Sequence, residues 1–302
     1  MRGLDDLPPR VTVYEVGPRD GLQNETQTVS TEDKVRFINL LSAAGLPAIE
    51  VTSFVRPGAI PQLADAEEVL NRIERHDGVC YTALVPNMGG MERAANSHVG
   101  GIALFTAASE TFSLENTNAT IAETLERFRP VLTEARRTKT WIRAYISTSF
   151  GCPYESEVPP QAVVNVARDL ANLGAHQIVI SDTIGVATPA QVVSVVEAVS
   201  DEIETARLAL HFHDTRGTAL ANVLAGLQLG VTTYDSSAGG LGGCPYAPGA
   251  AGNLATEDLV YMLYGLGIET GVQLAKLVEA SAYLMRVTGR EPPSRYFQAA
   301  AS

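Results

Sequence analysis

A parallel (β/α)8 barrel is the fold class this sequence predicts, and three observations predict it. Short β-branched runs alternate with longer amphipathic stretches about eight times, which implies parallel strands joined by crossover helices. Most of the short runs are nearly continuous in apolar residues, as strands covered on both faces should be. The chain has 302 residues, and no Ser/Gly linker or charge block divides it. A barrel needs about 250 residues. The expectation is therefore one domain over residues 1–302, with the barrel over about 11–267 and a C-terminal helix and tail over about 268–302. A doubly wound open sheet is the competing architecture. It calls for a glycine-rich dinucleotide turn after the first strand, and Gly17-Pro18-Arg19-Asp20-Gly21 is not one.

The elements follow in order. Val11–Val16 reads as the first strand. Thr31–Ala44 reads as a helix, with Ser30 or Thr31 as cap, acids in its first turn, and Val35, Ile38 and Leu41 on one face. Strands are then expected at Ala48–Thr52, Val79–Val85, Gly101–Phe105 and Trp141–Ser147, and later at His176–Ser181, Leu208–His213 and Thr232–Ser236. Helices are expected at Pro61–Arg75, Thr120–Thr138, Pro160–Leu173, Pro189–Ile203, Arg216–Leu229 and Ala255–Leu266. Proline opens three of them, where the first turn has no N–H partner to lose. Gly45, Gly174 and Gly230 stand where a left-handed C-terminal cap is needed.

Composition excludes several classes. Hydrophobic residues make up 45% of the chain, too many for disorder. The formal net charge is −12, so the chain lacks the basic footprint that nucleic acid or an anionic membrane requires. Cys80, Cys152 and Cys244 are an odd, sparse set that suits a reducing compartment better than a disulfide scaffold. Met1 to Arg10 has neither the apolar core of a signal peptide nor the character of a transit peptide, and no apolar run approaches 18 residues. A cytoplasmic location is the resulting expectation.

In a barrel, reactive side chains sit at the C-terminal ends of the strands. Arg19-Asp20 follows the first strand. Glu50 lies within the second, where a carboxylate among apolar neighbours must find a partner or a cation. Asp182-Thr183 follows the sixth, and the seventh ends in His211-Phe212-His213. Strand residues two apart face the same way, so both imidazoles point into the barrel mouth while Phe212 packs outward. Such a pair can form a metal fork, or stay as two hydrogen-bonded core histidines. Asp20 is the natural third ligand, and otherwise a helix cap or a partner of Arg19. Two imidazoles and a carboxylate suit Mg²⁺ or Mn²⁺ as well as Zn²⁺ or Fe²⁺. His176, at a strand start, is read as structural, and Cys80, inside a strand, as core. Cys244 lies in the glycine-rich stretch Gly239–Tyr246 after the eighth strand. That stretch reads as a mobile lid, with a thiol able to carry a proton. A small buried hydrophobe is the alternative. Cys152, in a second Gly-Cys-Pro-Tyr, is expected to shape the pocket wall.

Taken together these stretches resemble the 3-hydroxy-3-methylglutaryl-CoA lyase family of the DRE-TIM metallolyases. The resemblance runs from about Val11 to Thr288. It rests on the runs from Glu15 to Glu25, Ile49 to Val55, Asp182 to Gly185, His213 to Thr215, Leu241 to Ala247 and Gly252 to Tyr261. It implies that Asp20, His211 and His213 bind Mg²⁺ or Mn²⁺, with Asn253 completing or supporting the site. It further implies that Arg19 stabilises an enolate oxygen, Glu50 orients Arg19 and the metal site, and Cys244 acts as lid acid/base. Gln23, Asp182 and Thr183 would support the substrate pocket. The implied reaction is a retro-Claisen cleavage of 3-hydroxy-3-methylglutaryl-CoA to acetyl-CoA and acetoacetate, with His211 or Asp20 as base, by a homodimer serving leucine degradation. The chain departs from the family's habit at Thr26, at Arg56–Ala59, at Phe112–Ala119 and at Arg216. These positions are expected to touch the pocket wall and the CoA approach. They keep open another 3-hydroxy-3-substituted acyl-CoA, such as citramalyl-CoA or a longer-branched glutaryl-CoA. A Claisen-type synthase and a non-catalytic barrel rank lower.

Overall fold

The protein is represented by a computed structural model, which describes residues 2–243 and 252–300. The first half runs β1 (Thr12–Glu15), α1 (Thr31–Ala43), β2 (Ala48–Ser53), α2 (Ala66–Arg72), β3 (Cys80–Leu84), α3 (Met88–Ala95), β4 (Gly101–Ala107), α4 (Glu110–Thr117) and α5 (Ile121–Thr138). The second runs β5 (Trp141–Ser147), α6 (Pro160–Leu173), β6 (Gln177–Asp182), α7 (Pro189–Ser200), β7 (Leu208–Phe212), α8 (Ala219–Gln228), β8 (Thr233–Ser236) and α9 (Thr256–Gly265). Two helices follow, α10 (Leu274–Thr288) and α11 (Arg295–Ala300).

The eight strands pair in sequence order, all parallel, and β8 closes on β1. This is a (β/α)8 barrel. Among the described residues no helix is long and apolar enough to cross a membrane.

Strand alternation divides the interior in two. Outward residues such as Val13, Ile49, Ala83, Leu104, Ile142, Ile180, Leu210 and Phe212 join the inner faces of the helices in one continuous core. Inward residues form small separate apolar groups, Tyr14 with Val16 and Ala48 in one, and Leu84, Ala103, Tyr145, Val179 and Ala209 in another. Between them the barrel axis is polar, because Glu50, Thr82, Arg143 and Asp235 also point inward and are 0–1% exposed. Packed barrel interiors ordinarily carry branched aliphatics at such positions.

Several elements differ from expectation for local reasons. The helix expected at Pro61–Arg75 is a 3₁₀ turn, Pro61–Leu63, followed by the shorter α2. Helices α3 and α4 were not foreseen. Each is eight residues long and is opened by a side-chain cap, Asn87 accepting from Gly90 N and Ser109 from Phe112 N. Gly89 and Gly90 mask the first of these in the sequence. The C-terminal region holds two helices rather than one, and α10 packs on α1 and α9 as part of the outer ring. Cys80, expected in the core, is only half buried at the first position of β3. His176 holds the bottom of the barrel, its Nδ1 accepting from Ile142 N at 3.0 Å.

Candidate active site

The cation and the carboxylate that follow β1 stand on one turn of π-helix, Gly17–Gly21. The amides of Arg19, Asp20 and Gly21 all converge on Val16 O, at 3.1, 2.7 and 3.2 Å. Such single π turns recur at functional sites because they re-aim side chains that an α turn would spread apart. The turn needs glycine at its start. A Cβ on Gly17 would stand 2.6 Å from Glu15 Oε1, which accepts from Gly17 N at 2.8 Å.

Arg19 is turned inward by Glu50. Its Nε donates to Glu50 Oε1, and its Nη1 donates to Asp20 Oδ1 at 2.5 Å. Glu50 Oε2 accepts from Tyr145 OH at 2.9 Å. Strand β2 slips register between Glu50 and Thr52, an irregularity of the kind often found beside active sites. Burial pushes the Asp20 carboxyl up, but Arg19, His211 and His213 more than reverse it and hold it at about 2. Gln23 donates to Asp20 Oδ1 at 3.2 Å and Asn253 donates to Asp20 Oδ2 at 2.9 Å.

His211 lies in β7, and His213 follows the strand's end, where it forms a bridge with Asn253. Ring centroids of the two histidines are 5.2 Å apart, and Phe212 packs outward on Phe150. His213 Nε2 is 3.9 Å from Asp20 Oδ2. Burial, then the neighbouring His211, lowers the His213 pKa to about 4, so the ring is neutral at pH 7. Ligand atoms of Asp20, His211 and His213 all lie within 4.8 Å of one another.

These residues fit a divalent cation. The buried Asn253 Oδ1 and His213 Nδ1 have no hydrogen-bond partner among the described residues. The connected charges around the site are Arg19, Asp20, Glu50, Arg143 and Asp235. Two guanidinium groups against three carboxylates leave one negative charge uncompensated. A carboxylate, an amide oxygen and imidazole nitrogens are ligands that hard cations and their borderline neighbours accept.

A cavity of about 530 Å³ opens over this cluster. Arg19, Asp20, Gln23, Thr183, His211 and His213 line it, together with Phe105, Phe112 and Tyr145. Glu50 and Asp182 do not line it. Glu50 stands behind Arg19. Asp182 accepts from the amides of Val186 and Ala187, both at 2.9 Å, and shapes the turn after β6, with burial raising it to about 6. Thr26, Ala59, Phe112 and Asn116 do line the cavity, as the departures from family habit suggested. Arg216 does not. It donates to the carbonyls of Ile184 and Gly185 and holds that same turn. Cys152 is buried behind Phe112, against Ser109 Oγ at 3.0 Å. Cys244 lies outside the described residues.

Sequence reasoning missed three residues here. Arg143 Nη2 donates to Asp235 Oδ1, Arg143 Nη1 donates to Tyr145 OH at 3.3 Å, and Asp235 Oδ2 lies 3.1 Å from His211 Nδ1. The signal was present. Arg143 in Trp141–Ser147 and Asp235 in Thr233–Ser236 are charges inside strands, the same cue that singled out Glu50.

Comparison with known proteins places the chain in a family. The HMGL-like family profile matches residues 10–284. The chain belongs to the HMGL-like family. The rat mitochondrial hydroxymethylglutaryl-CoA lyase is 50% identical over 98% of this HMGL-like chain and 91% of its own length. The Bacillus subtilis hydroxymethylglutaryl-CoA lyase YngG is 49% identical over 96% of this chain and 97% of its own. Among solved structures, the Bacillus subtilis HMG-CoA lyase superposes with a TM-score of 0.96 at 49% identity, covering 98% of this chain and 99% of that one. An HMG-CoA lyase from Acinetobacter baumannii, in complex with coenzyme A and 3-methylmalate, gives 0.92 at 41% identity over 99% and 97%. The carboxyl transferase domain of Rhizobium etli pyruvate carboxylase, at 20% identity and 0.73, shares the fold alone.

Proposed function

We propose that this HMGL-like chain is a carbon–carbon lyase that cleaves 3-hydroxy-3-methylglutaryl-CoA to acetyl-CoA and acetoacetate. The observation that carries this is the meeting, in one cavity, of the Asp20–His211–His213 cluster with the buried cation Arg19. The identity to hydroxymethylglutaryl-CoA lyases over nearly the whole chain supports the substrate, and the coenzyme A complex of the Acinetobacter relative supports an acyl-CoA.

Asp20, His211 and His213, with Asn253 Oδ1, would hold Mg²⁺ or Mn²⁺. Such a cation supplies Lewis acidity that lowers the pKa of a nearby hydroxyl. The C3 hydroxyl loses its proton, the C2–C3 bond breaks, and its electron pair moves into the thioester as an enolate. The C3 fragment leaves as the ketone. His211 is the better proton acceptor of the two groups considered, because Asp20 already accepts from Arg19, Gln23 and Asn253. Its Nε2 has one lone pair, so it holds the cation or takes the proton, not both at once. Arg19 faces the enolate oxygen with a charge that cannot be lost, pre-aimed by Glu50 and costing no reorganisation. Cys244 then delivers the proton to C2. Free Cys80 and Cys152 support a reducing compartment, in keeping with the cytoplasm. A homodimer and a place in leucine degradation complete the reading.

The test is coupled acetyl-CoA release from 3-hydroxy-3-methylglutaryl-CoA, with Mg²⁺ and after chelation, beside citramalyl-CoA and a longer-branched glutaryl-CoA. Metal-dependent release, fastest with the first substrate, is expected. Undiminished release from a chelated Asp20→Ala variant would refute the scheme.

A further inference from the structure

We propose that Asp235, gripped by Arg143, is a positioning residue that keeps the His211 proton on Nδ1 and so presents the Nε2 lone pair to the barrel mouth. The proposal deepens the reading of His211 as a site residue and rests on it.

Register brings the pair together. His211 of β7 lies directly opposite Asp235 of β8, and both point inward. Asp235 Oδ2 meets His211 Nδ1 at 3.1 Å, while Asp235 Oδ1 accepts from Arg143 Nη2. The Asp235 and Arg143 side chains are both 0% exposed, so bulk solvent reaches neither. A carboxylate facing a guanidinium on one oxygen is an acceptor on the other. The imidazole nitrogen before it must therefore donate. A neutral ring with its proton on Nδ1 has its lone pair on Nε2, and a carboxylate behind a histidine is the usual means of fixing tautomer and ring rotation together.

His213 supplies the contrast. Its Nδ1 is buried without a partner among the described residues, so none of those residues sets its tautomer. Among the described residues only His211 of the two carries such a lock.

The strut has a second end. Arg143 lies over the Tyr14 ring, 3.6 Å from its centroid, and donates to Tyr145 OH. Tyr145 donates to Glu50, and Glu50 accepts from Arg19. One unbroken buried chain thus runs from His211 through Asp235, Arg143, Tyr145 and Glu50 to Arg19. It ties the position of the imidazole to that of the guanidinium, and both line the cavity. Side chains locked in this way lose little entropy when substrate arrives.

Asp235→Asn tests the tautomer directly. Its amide oxygen would face Arg143 and its NH₂ would face His211, pushing the ring proton to Nε2. With ¹⁵N-histidine labelling and no metal, the wild type should show the Nδ1–H tautomer at His211, assigned with a His211→Gln variant, and Asp235→Asn the Nε2–H tautomer. Mn²⁺ affinity, read by EPR of free Mn²⁺, should fall about 10- to 100-fold, the usual cost of losing such a partner. His213→Ala should weaken Mn²⁺ without moving the His211 signals. A folded Asp235→Asn with wild-type Mn²⁺ affinity overturns the proposal. If that variant does not fold, the wild-type spectrum decides, since an Nε2–H ring at His211 also overturns it. A wild type that binds no Mn²⁺ defeats the metal reading instead, and the tautomer still decides the role of Asp235.

Discussion

Removing the Arg143 charge should be among the most damaging single changes in the barrel. Arg143→Met keeps much of the side chain's stem, but removes the guanidinium that lies over Tyr14, leaves Asp235 with only His211 and takes a donor from Tyr145. Breaking a buried pair by deleting one partner costs about 3–5 kcal/mol, because the remaining charge cannot reach water. With an unfolding entropy of about 2.1 cal/mol/K per residue, a chain of this length has about 0.6 kcal/mol/K in total, so the midpoint should fall by about 5–8 °C. Scanning calorimetry at neutral pH measures it. Arg143→Met/Asp235→Leu should recover most of the loss, since replacing both charges by apolar groups is commonly near neutral. A single variant that loses less than about 1 kcal/mol, or a double variant whose losses simply add, would refute the claim that these charges are sealed from solvent.

Other expectations follow from the same geometry. Burial pushes Glu15 and Glu257 up to about 7, against the hydroxyl and amide donors that oppose it. Each folded carboxyl keeps its proton where the unfolded one, near 4.5, has lost it. The stability these two groups contribute should therefore be full below pH 4.5 and be lost as pH rises through about 7. Glu15→Gln can still accept from Gly17 N and Ala238 N, and should flatten that decline by on the order of 3 kcal/mol in urea titrations at pH 5 and 7.5. An unchanged slope would count against it. Gly17→Ala places a methyl 2.6 Å from Glu15 Oε1 and should cost about 1–3 kcal/mol of stability, with activity falling as Arg19 and Asp20 shift. Tyr145→Phe leaves Glu50 Oε2 without its donor, and kcat should drop about tenfold, equivalent to about 1.4 kcal/mol in the barrier. An unaltered kcat would remove Tyr145 from the positioning of Arg19. His213→Ala should abolish most stabilisation by added Mn²⁺ in thermal melts. Equal Mn²⁺-induced shifts in wild type and variant would exclude His213 as a ligand.

The barrel was legible in the sequence because hydrophobic alternation and punctuation are local. Gly174 closes α6 with φ +100°, and Ser30 caps α1 through Asp33 N, as their neighbours in the chain imply. The short helices α3 and α4 were not legible, since eight residues carry too little periodicity. Arg19, Asp20, His211 and His213 were legible because they stand at strand ends, where a barrel gathers its reactive groups. The spacing of the two histidines alone was enough to put them on one face.

What the sequence determined by itself is thus the strand order, the closed sheet and the residues that could meet at its mouth. Tertiary structure decided which of them do meet, and how each is aimed. Arg143 and Asp235 are 92 residues apart in the chain, and Glu50 and Tyr145 are 95 apart. Each reads locally as an ill-placed polar residue in an apolar strand. Only closure of the barrel places them opposite one another, and only the exclusion of water there makes their pairing obligatory. The π turn at Gly17–Gly21 is likewise a product of packing, set by the carboxylate of Glu15, which also accepts from Ala238 N just past β8, the strand that closes on β1.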